Sequence, residues 1–127
     1  MSKYFHDLEF KACTPSCNMS DMDEVFLNQL DELRSACGFP LVLNCAFRSV
    51  KWDIERGRSG CSYHTKGRAV DIRCHDSVKR AIIVENALHL GFSVGVYPRF
   101  IHVDNRTTDI VCFYGISYGS VSTPDMD

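Results

Sequence analysis

The chain has 127 residues, of which 45% are hydrophobic, 11% aromatic and 24% charged, and this composition excludes a disordered or fibrous protein. The length suits one folded domain, residues 1–127, and is too short for two ordinary domains. A formal net charge of −2, without any run of Lys or Arg, argues against a nucleic-acid partner.

Neither a secretory leader nor a membrane span is predicted. The N-terminal sequence MSKYFHDLEF has no apolar segment, and the longest wholly aliphatic run, AIIV at 81–84, is far shorter than a membrane span. We therefore expect a protein that is made in the cytoplasm and is a monomer.

The cysteines are expected to be free thiols, because seven is an odd number and no leader directs the chain to an oxidising compartment. Cys37, Cys45 and Cys112 have apolar neighbours and are interpreted as small core residues. Cys13 and Cys17 have a loose metal-like spacing, but no second Cys or His pair near them completes a four-ligand set. We do not predict a structural zinc site at that pair.

The first predicted element is an amphipathic helix within residues 20–40, whose apolar residues recur every three or four positions. Ser20 with Asp23 resembles a capping box at its start, and Gly38 with Pro40 marks its end. Its apolar positions are Met22, Val25, Phe26, Leu30, Leu33 and Cys37.

A second helix is predicted over residues 77–90, with Asp76 as its N-cap and Gly91 at its end. Its buried stripe is expected to contain Ile83, Val84, Ala87 and Leu88.

Five short segments have the composition of strands, at 40–47, 68–74, 93–97, 99–105 and 109–114. Only a few residues separate the last three, so we expect them to form an antiparallel meander. Together the elements predict an α+β fold with a small antiparallel sheet packed against helices. The polar segment 115–127 is expected to be a flexible tail.

Three polar side chains are candidates for one metal site. Side chains alternate along a strand, so Asp71 lies opposite the apolar face of 68–74, and His102 shares the polar face of its strand with Asp104. His64 precedes the first of these strands, and a turn at Gly67 would swing its imidazole over Asp71. Two imidazoles and a carboxylate suit zinc and leave a fourth position for a water that ionises near neutral pH.

The pattern S-x-H-x-x-G-x-A-x-D over 62–71, followed by HVD at 102–104, resembles the zinc D-alanyl-D-alanine carboxypeptidases and related peptidoglycan peptidases of the M15 family. The hedgehog signalling domain shares the fold of that family. Similarity extends in family order over residues 4–114, and it includes FHDLEF near the start, NCAFRS at 44–49 and GVYPRFIHVDNR at 95–106. The resemblance implies a hedgehog/DD-peptidase fold that hydrolyses peptide bonds in peptidoglycan stem peptides, as a carboxypeptidase or as an endopeptidase of the endolysin type.

The resemblance also implies roles for individual residues. His64, Asp71 and His102 match the zinc ligands. Arg48 matches the arginine that binds the substrate and stabilises charge on the scissile carbonyl, for which a guanidinium is suited. Ser62 and Tyr97 are further candidates for substrate contact, although Ser62 could instead cap a turn and Tyr97 could belong to the core.

The general base is left open. Many relatives carry an acidic residue three positions before the second histidine, where this chain has Arg99. The remaining candidate is Asp104, which either takes a proton from zinc-bound water or only orients a ligand. Asp53 and Glu55 are outside candidates if their segment folds over the cleft.

Two other functions compete with the peptidase. The missing acid at position 99 allows a binding module of the same fold that keeps zinc but not catalysis. A thiol-based protein using Cys61 or Cys74, which flank the motif, is the second. Without a leader, the enzyme would reach cell wall through lysis, a carrier or a virion, which suggests a bacteriophage origin.

Overall fold

The computed structural model of the chain describes residues 2–114, and the predicted tail at 115–127 lies outside them. The described helices are α1 Asp7–Lys11, α2 Glu24–Cys37, α3 Val50–Glu55 and α4 Ser77–His89, with short 3-10 helices at Met19–Asp21 and Tyr63–Lys66. The strands are β1 Val42–Cys45, β2 Ala69–Arg73, β3 Ser93–Val96, β4 Phe100–Asp104 and β5 Cys112–Tyr114. These elements confirm the predicted α+β class.

All five strands belong to one sheet, in the order β1-β2-β4-β3-β5. The pairs β1/β2, β2/β4 and β3/β4 are antiparallel, whereas β5 runs parallel to β3. The predicted meander is therefore wrong at its last strand. Because β2 and β3 already occupy both sides of β4, β5 pairs with the open edge of β3 instead. Val111 holds this connection by donating from its backbone N–H to Ser93 Oγ, 2.9 Å away.

Helix α2 begins later than its predicted cap. Asp23 is the N-cap, and its carboxylate accepts a hydrogen bond of 2.9 Å from the backbone N–H of Phe26. The predicted capping box of Ser20 with Asp23 is wrong, because Ser20 lies in the separate 3-10 helix Met19–Asp21 and Met22 is extended. The predicted end is confirmed, with Gly38 in the left-handed conformation. Val25, predicted on the apolar face, is 61% exposed.

Helix α4 begins and ends as expected. Asp76 accepts hydrogen bonds from the backbone N–H groups of Val78 and Lys79, and the helix ends one residue before Leu90. Of the predicted stripe, Ile83 and Ala87 are buried, while the other two members are half-buried and pack against the core.

The core joins the apolar residues of the sheet to those of α2 and α4. Alternation along β2 and β4 is confirmed, because the residues predicted on their apolar faces all belong to the hydrophobic core, whereas Asp71 and His102 contact each other outside it. The ring of Phe26 meets that of Phe92 edge to face at 6.0 Å. Buried members of this core include Phe26, Leu30, Leu33, Val70, Ile72, Ile83, Phe92, Ile101 and Val103.

All seven cysteines are free, as predicted. Cys13 and Cys17 are core residues whose thiols donate to backbone carbonyls. Cys112 is exposed on the edge strand β5, so its predicted place in the core is wrong. Cys45 is buried as predicted, but it lies against polar residues that are described below.

Candidate metal centre

One residue from each strand contributes to a row that crosses the sheet. Residues directly opposite one another on paired strands share a face, so the five side-chain positions lie on one side of the sheet. Asp71 and His102 occupy adjacent central positions, on β2 and β4. In strand order the members of the row are Cys45, Asp71, His102, Gly95 and Phe113.

His64 reaches this row from the 3-10 helix Tyr63–Lys66, which ends at Gly67 in the left-handed conformation. The turn expected at Gly67 is thus present. A Cβ at that position would lie 2.5 Å from the backbone oxygen of Asp21, so only glycine allows the close approach. His64 Nδ1 lies 2.6 Å from the carbonyl oxygen of Ala46. Because a carbonyl only accepts, Nδ1 carries the proton and Nε2 is left as the electron-pair donor.

Asp71 joins the two imidazoles. Its Oδ1 lies 3.2 Å from His64 Nε2 and 3.1 Å from His102 Nδ1. Both histidines are 0% exposed and Asp71 is 4% exposed. Burial by itself raises the pKa of Asp71, but its interactions with the imidazoles of His64 and His102 hold that pKa well below its usual range. Asp71 is therefore an anion, the form in which a carboxylate binds a metal.

The separations of Asp71 Oδ1 from the two imidazole nitrogens are close to those in a tetrahedral site. Nitrogen and oxygen ligands about 2.0–2.2 Å from zinc lie about 3.3–3.6 Å from one another in a tetrahedral site. The two observed separations from Asp71 Oδ1, 3.2 Å to His64 and 3.1 Å to His102, need only a small expansion. Possible ligand atoms on Cys45, His64 and Asp71, one from each residue, also lie within 4.8 Å of one another. The residues present fit a metal ion.

Asp104 is fully occupied by two partners. His102 Nε2 donates to Asp104 Oδ2 at 2.7 Å, which leaves His102 Nδ1 as the electron-pair donor toward Asp71. Arg106 forms a bidentate pair with the same carboxylate, at 2.8 Å from Nε and 2.6 Å from Nη2. Burial raises the pKa of Asp104, but the hydrogen bonds from Arg106 and His102 outweigh it and lower the pKa to about 2.

Arg48 belongs to a buried network beside the metal centre. Its Nε lies 2.9 Å from Asp53 Oδ1, and its Nη2 donates to Ser62 Oγ at 3.0 Å. Ser62 Oγ in turn lies 3.3 Å from Asp53 Oδ2. Helix α3 supplies Asp53, and all three residues are at most 3% exposed. The backbone N–H of Arg48 also donates to the carbonyl of His64 at 3.2 Å, which connects this network to the metal centre.

An aromatic group borders the row on its β5 side. Phe113 lies with its ring centroid 5.8 Å from that of His102 and 6.3 Å from that of Tyr97. The ring of Phe113 occupies the space above Gly95, where a Cβ would lie 2.5 Å from it. Tyr97 is 6% exposed and stacks on Phe100 at 4.4 Å. Tyr97 thus packs in the interior, against Phe100 and Phe113.

The other residues considered from the sequence have no described contact with His64, Asp71 or His102. Glu55 is exposed on α3 and Arg99 is exposed before β4. The thiol of Cys61 contacts the backbone oxygen of Ser59, and that of Cys74 contacts the backbone oxygen of Asp76.

Sequence analysis missed three contributions. Arg106 lies two positions after Asp104, so strand alternation continued beyond β4 would have placed both on the same face and indicated their contact. Asp53 was considered only as a base, because α3 was not predicted. Cys45 was assigned to the core because its immediate neighbours in sequence are mostly apolar, and nothing in the sequence indicated its strand register.

Comparison with known proteins agrees with these observations. The sequence model of the family Peptidase M15 matches residues 4–104, which is well over half of the chain and contains the whole His-Asp-His set. A search of curated proteins gave no match. Within residues 2–114, no helix has the length and hydrophobicity needed to cross a membrane.

Proposed function

The chain belongs to the Peptidase M15 family, and on this basis we propose that it is a zinc peptidase that cleaves the stem peptides of bacterial peptidoglycan. Family membership makes it a peptidase of a metal-dependent family, with a peptide as substrate. Zinc and peptidoglycan are our proposals. The observation that carries them is the approach of His64 Nε2 and His102 Nδ1 to the same oxygen of Asp71.

Zinc is the metal that this donor set favours. Imidazole nitrogens suit zinc better than magnesium or calcium, which prefer oxygen ligands. When bound, the ion polarises the scissile carbonyl and lowers the pKa of a coordinated water. Hydrogen bonds fix the orientation of the two histidines that would hold the ion. The carbonyl of Ala46 fixes the ring of His64, and the carboxylate of Asp104 fixes the ring of His102.

We propose that Asp104 orients the ligand His102 and does not act as the general base. Both carboxylate oxygens accept hydrogen bonds from Arg106, and one also accepts from His102. A carboxylate so engaged, with a pKa lowered to about 2, is a poor proton acceptor. Its charge instead strengthens His102 as a ligand.

Arg48 is proposed to bind the substrate and to stabilise charge on its carbonyl oxygen. Asp53 and Ser62 fix the guanidinium in orientation, and such preorganisation makes a charged group effective in a buried site. Ser62 is thereby a positioning residue for Arg48. Phe113 borders the centre and Tyr97 packs against Phe113, and this aromatic surface suits the apolar portion of a peptide.

Digestion of purified muropeptides, followed by mass analysis of the products, tests this function. The zinc-loaded protein should release D-alanine if it is a carboxypeptidase, or separate cross-linked stems if it is an endopeptidase. The His64→Ala variant should do neither. Zinc binding without any product from either substrate would contradict the proposal.

A zinc-binding module that recognises cell wall without cleaving it is the second candidate. The observation in its favour is that the acid expected three positions before His102 is replaced by the exposed Arg99, while Asp104 and Asp53 are engaged with arginines. Co-sedimentation with peptidoglycan, in the absence of muropeptide turnover, would identify the module. The thiol-based alternative predicts that alkylation abolishes activity and that chelators do not.

A further inference from the structure

An aromatic ring contacts the guanidinium that holds Asp104, and this ring has no place in the proposed reaction. The ring belongs to Tyr63, the residue before His64, and the guanidinium of Arg106 lies over it. We propose that Tyr63 is a positioning residue for the metal centre: its ring holds Arg106 against Asp104, and Asp104 holds the ring of His102. This inference rests on the metal site of the proposed function and extends that site to a residue outside the ligand set.

Arg106 sets the orientation of the Asp104 carboxylate. Arg106 Nε lies 2.8 Å from Asp104 Oδ1, and its Nη2 lies 2.6 Å from Oδ2. The same Oδ2 accepts a hydrogen bond of 2.7 Å from His102 Nε2. Because a planar guanidinium binds both oxygens of a carboxylate at once, a movement of Arg106 turns the carboxylate, and the carboxylate turns the imidazole. The orientation of His102 as a ligand therefore depends on what holds Arg106.

Two aromatic rings hold the guanidinium. An arginine side chain has many rotamers, yet that of Arg106 is only 12% exposed. Its guanidinium carbon lies 5.2 Å from the ring centroid of Tyr63 and 5.7 Å from that of Phe113. Both distances are within the range in which a cation is attracted to an aromatic face, and this attraction is stronger where water is excluded. The rings therefore favour the position in which the guanidinium meets Asp104.

Hydrogen bonds connect the segment of Tyr63 to the end of β4. The carbonyl of Tyr63 accepts from the backbone N–H of Arg68 at 3.0 Å. Arg68 in turn donates from Nε to the side-chain oxygen of Asn105 at 2.8 Å, and from Nη2 to its backbone oxygen at 2.6 Å. Asn105 directly precedes Arg106. These bonds keep the ring of Tyr63 in register with the guanidinium.

A surface role for Tyr63 is the alternative. Lys66 Nζ and the guanidinium carbon of Arg68 also lie near its ring, 4.6 Å and 5.5 Å from the centroid. If the ring serves only to pack against these two cations, its loss leaves the metal centre unchanged. The two roles therefore predict different metal affinities for a variant without the ring.

Zinc titration against a competing chelator tests the inference without relying on activity. Tyr63→Leu should bind zinc about tenfold more weakly than wild type, the lower end of the effect found for groups that orient metal ligands. Tyr63→Phe keeps the ring and should bind zinc as tightly as wild type. Tyr4→Leu is the matched control, because cations of Lys3 and Arg34 lie over the ring of Tyr4, and its affinity should equal that of wild type. Equal affinities in Tyr63→Leu and wild type would overturn the inference.

A second background shows whether Tyr63 acts through Asp104. Asp104→Asn removes the charge that Arg106 binds, so Tyr63→Leu added to Asp104→Asn should weaken zinc binding by less than about twofold more. A further tenfold loss in that background would mean that Tyr63 acts independently, and would overturn the inference. Tyr63→Met, which has an unbranched side chain without a ring, replaces Tyr63→Leu if that variant fails to fold.

Peptidase activity separates this inference from the proposed function. A tenfold loss of zinc affinity in Tyr63→Leu, in a protein that cleaves no muropeptide, would keep the inference and refute the function. Muropeptide cleavage by wild type, together with equal zinc affinities in wild type and Tyr63→Leu, would keep the function and refute the inference.

Discussion

At the scale of single residues, the two carboxylates of the site differ because of their partners. Asp71 Oδ1 lies 3.2 Å from a ring nitrogen of His64 and 3.1 Å from one of His102, whereas Asp104 is enclosed by Arg106 and His102. Strand alternation alone predicted that His102 and Asp104 share a face. The choice between base and orienting group depended on Arg106, whose contact only the folded chain shows.

Replacing Asp104 by asparagine should weaken metal binding about 10–100-fold, because the amide lacks the charge that orients and strengthens His102. Zinc titration against a competing chelator measures the change. The exposed Asp109→Asn variant is the matched control, and its affinity should equal that of wild type. Equal affinities in both variants would contradict the orienting role.

Thiol reactivity should follow burial. Burial raises the pKa of Cys13 to about 12 and that of Cys37 to about 11, so at pH 8 these thiols are almost wholly protonated and unreactive. The exposed Cys61 and Cys112 should be alkylated first. Mass mapping after a brief treatment of the native protein gives the order, and early modification of Cys13 would contradict the described packing.

At the scale of elements, local patterns predicted the strands and α4 well, since these depend on alternation and on capping residues. The position of β5 could not be predicted, because it depends on which sheet edge the other strands leave open. Helix α3 has only six residues, too few for a periodic pattern, although Ser49 caps it by accepting from the backbone N–H of Trp52. The register of β1 against β2 shifts between Leu43 and Cys45, and this irregularity depends on strand pairing and has no local indication.

Gly67→Ala should destabilise the fold by about 3–5 kcal/mol, because it combines a left-handed backbone with a clash against the backbone of Asp21. Gly57→Ala is a matched control, since Gly57 has a similar positive φ but no atom within 4 Å of the added Cβ. That variant should lose only about 1–2 kcal/mol. Urea unfolding of both compares them, and equal losses would refute the importance of this contact for the position of His64.

At the scale of the whole molecule, the sheet separates two environments. Its apolar face joins α2 and α4 in the core, while its other face carries the row that contains Asp71 and His102. The class of fold and the presence of this polar face were predictable, because both follow from alternation along β2 and β4. The contribution of β1, β5 and α3 to the site was not predictable, because it depends on contacts between segments that are distant in sequence.

Metal binding should stabilise the folded chain, because the unfolded chain does not bring His64, Asp71 and His102 together. A metal at 100 times its Kd adds about 2.7 kcal/mol. Addition of a chelator should therefore lower the Tm of wild type in a thermal melt. The Tm of His64→Ala should barely change, and equal shifts in the two proteins would place the metal elsewhere.

The most direct measurement is anomalous diffraction at the zinc edge from crystals of the zinc-loaded protein. The account predicts one ion about 2.0–2.2 Å from His64 Nε2, Asp71 Oδ1 and His102 Nδ1. An ion bound at other residues, or a density peak that excludes either histidine, would contradict it.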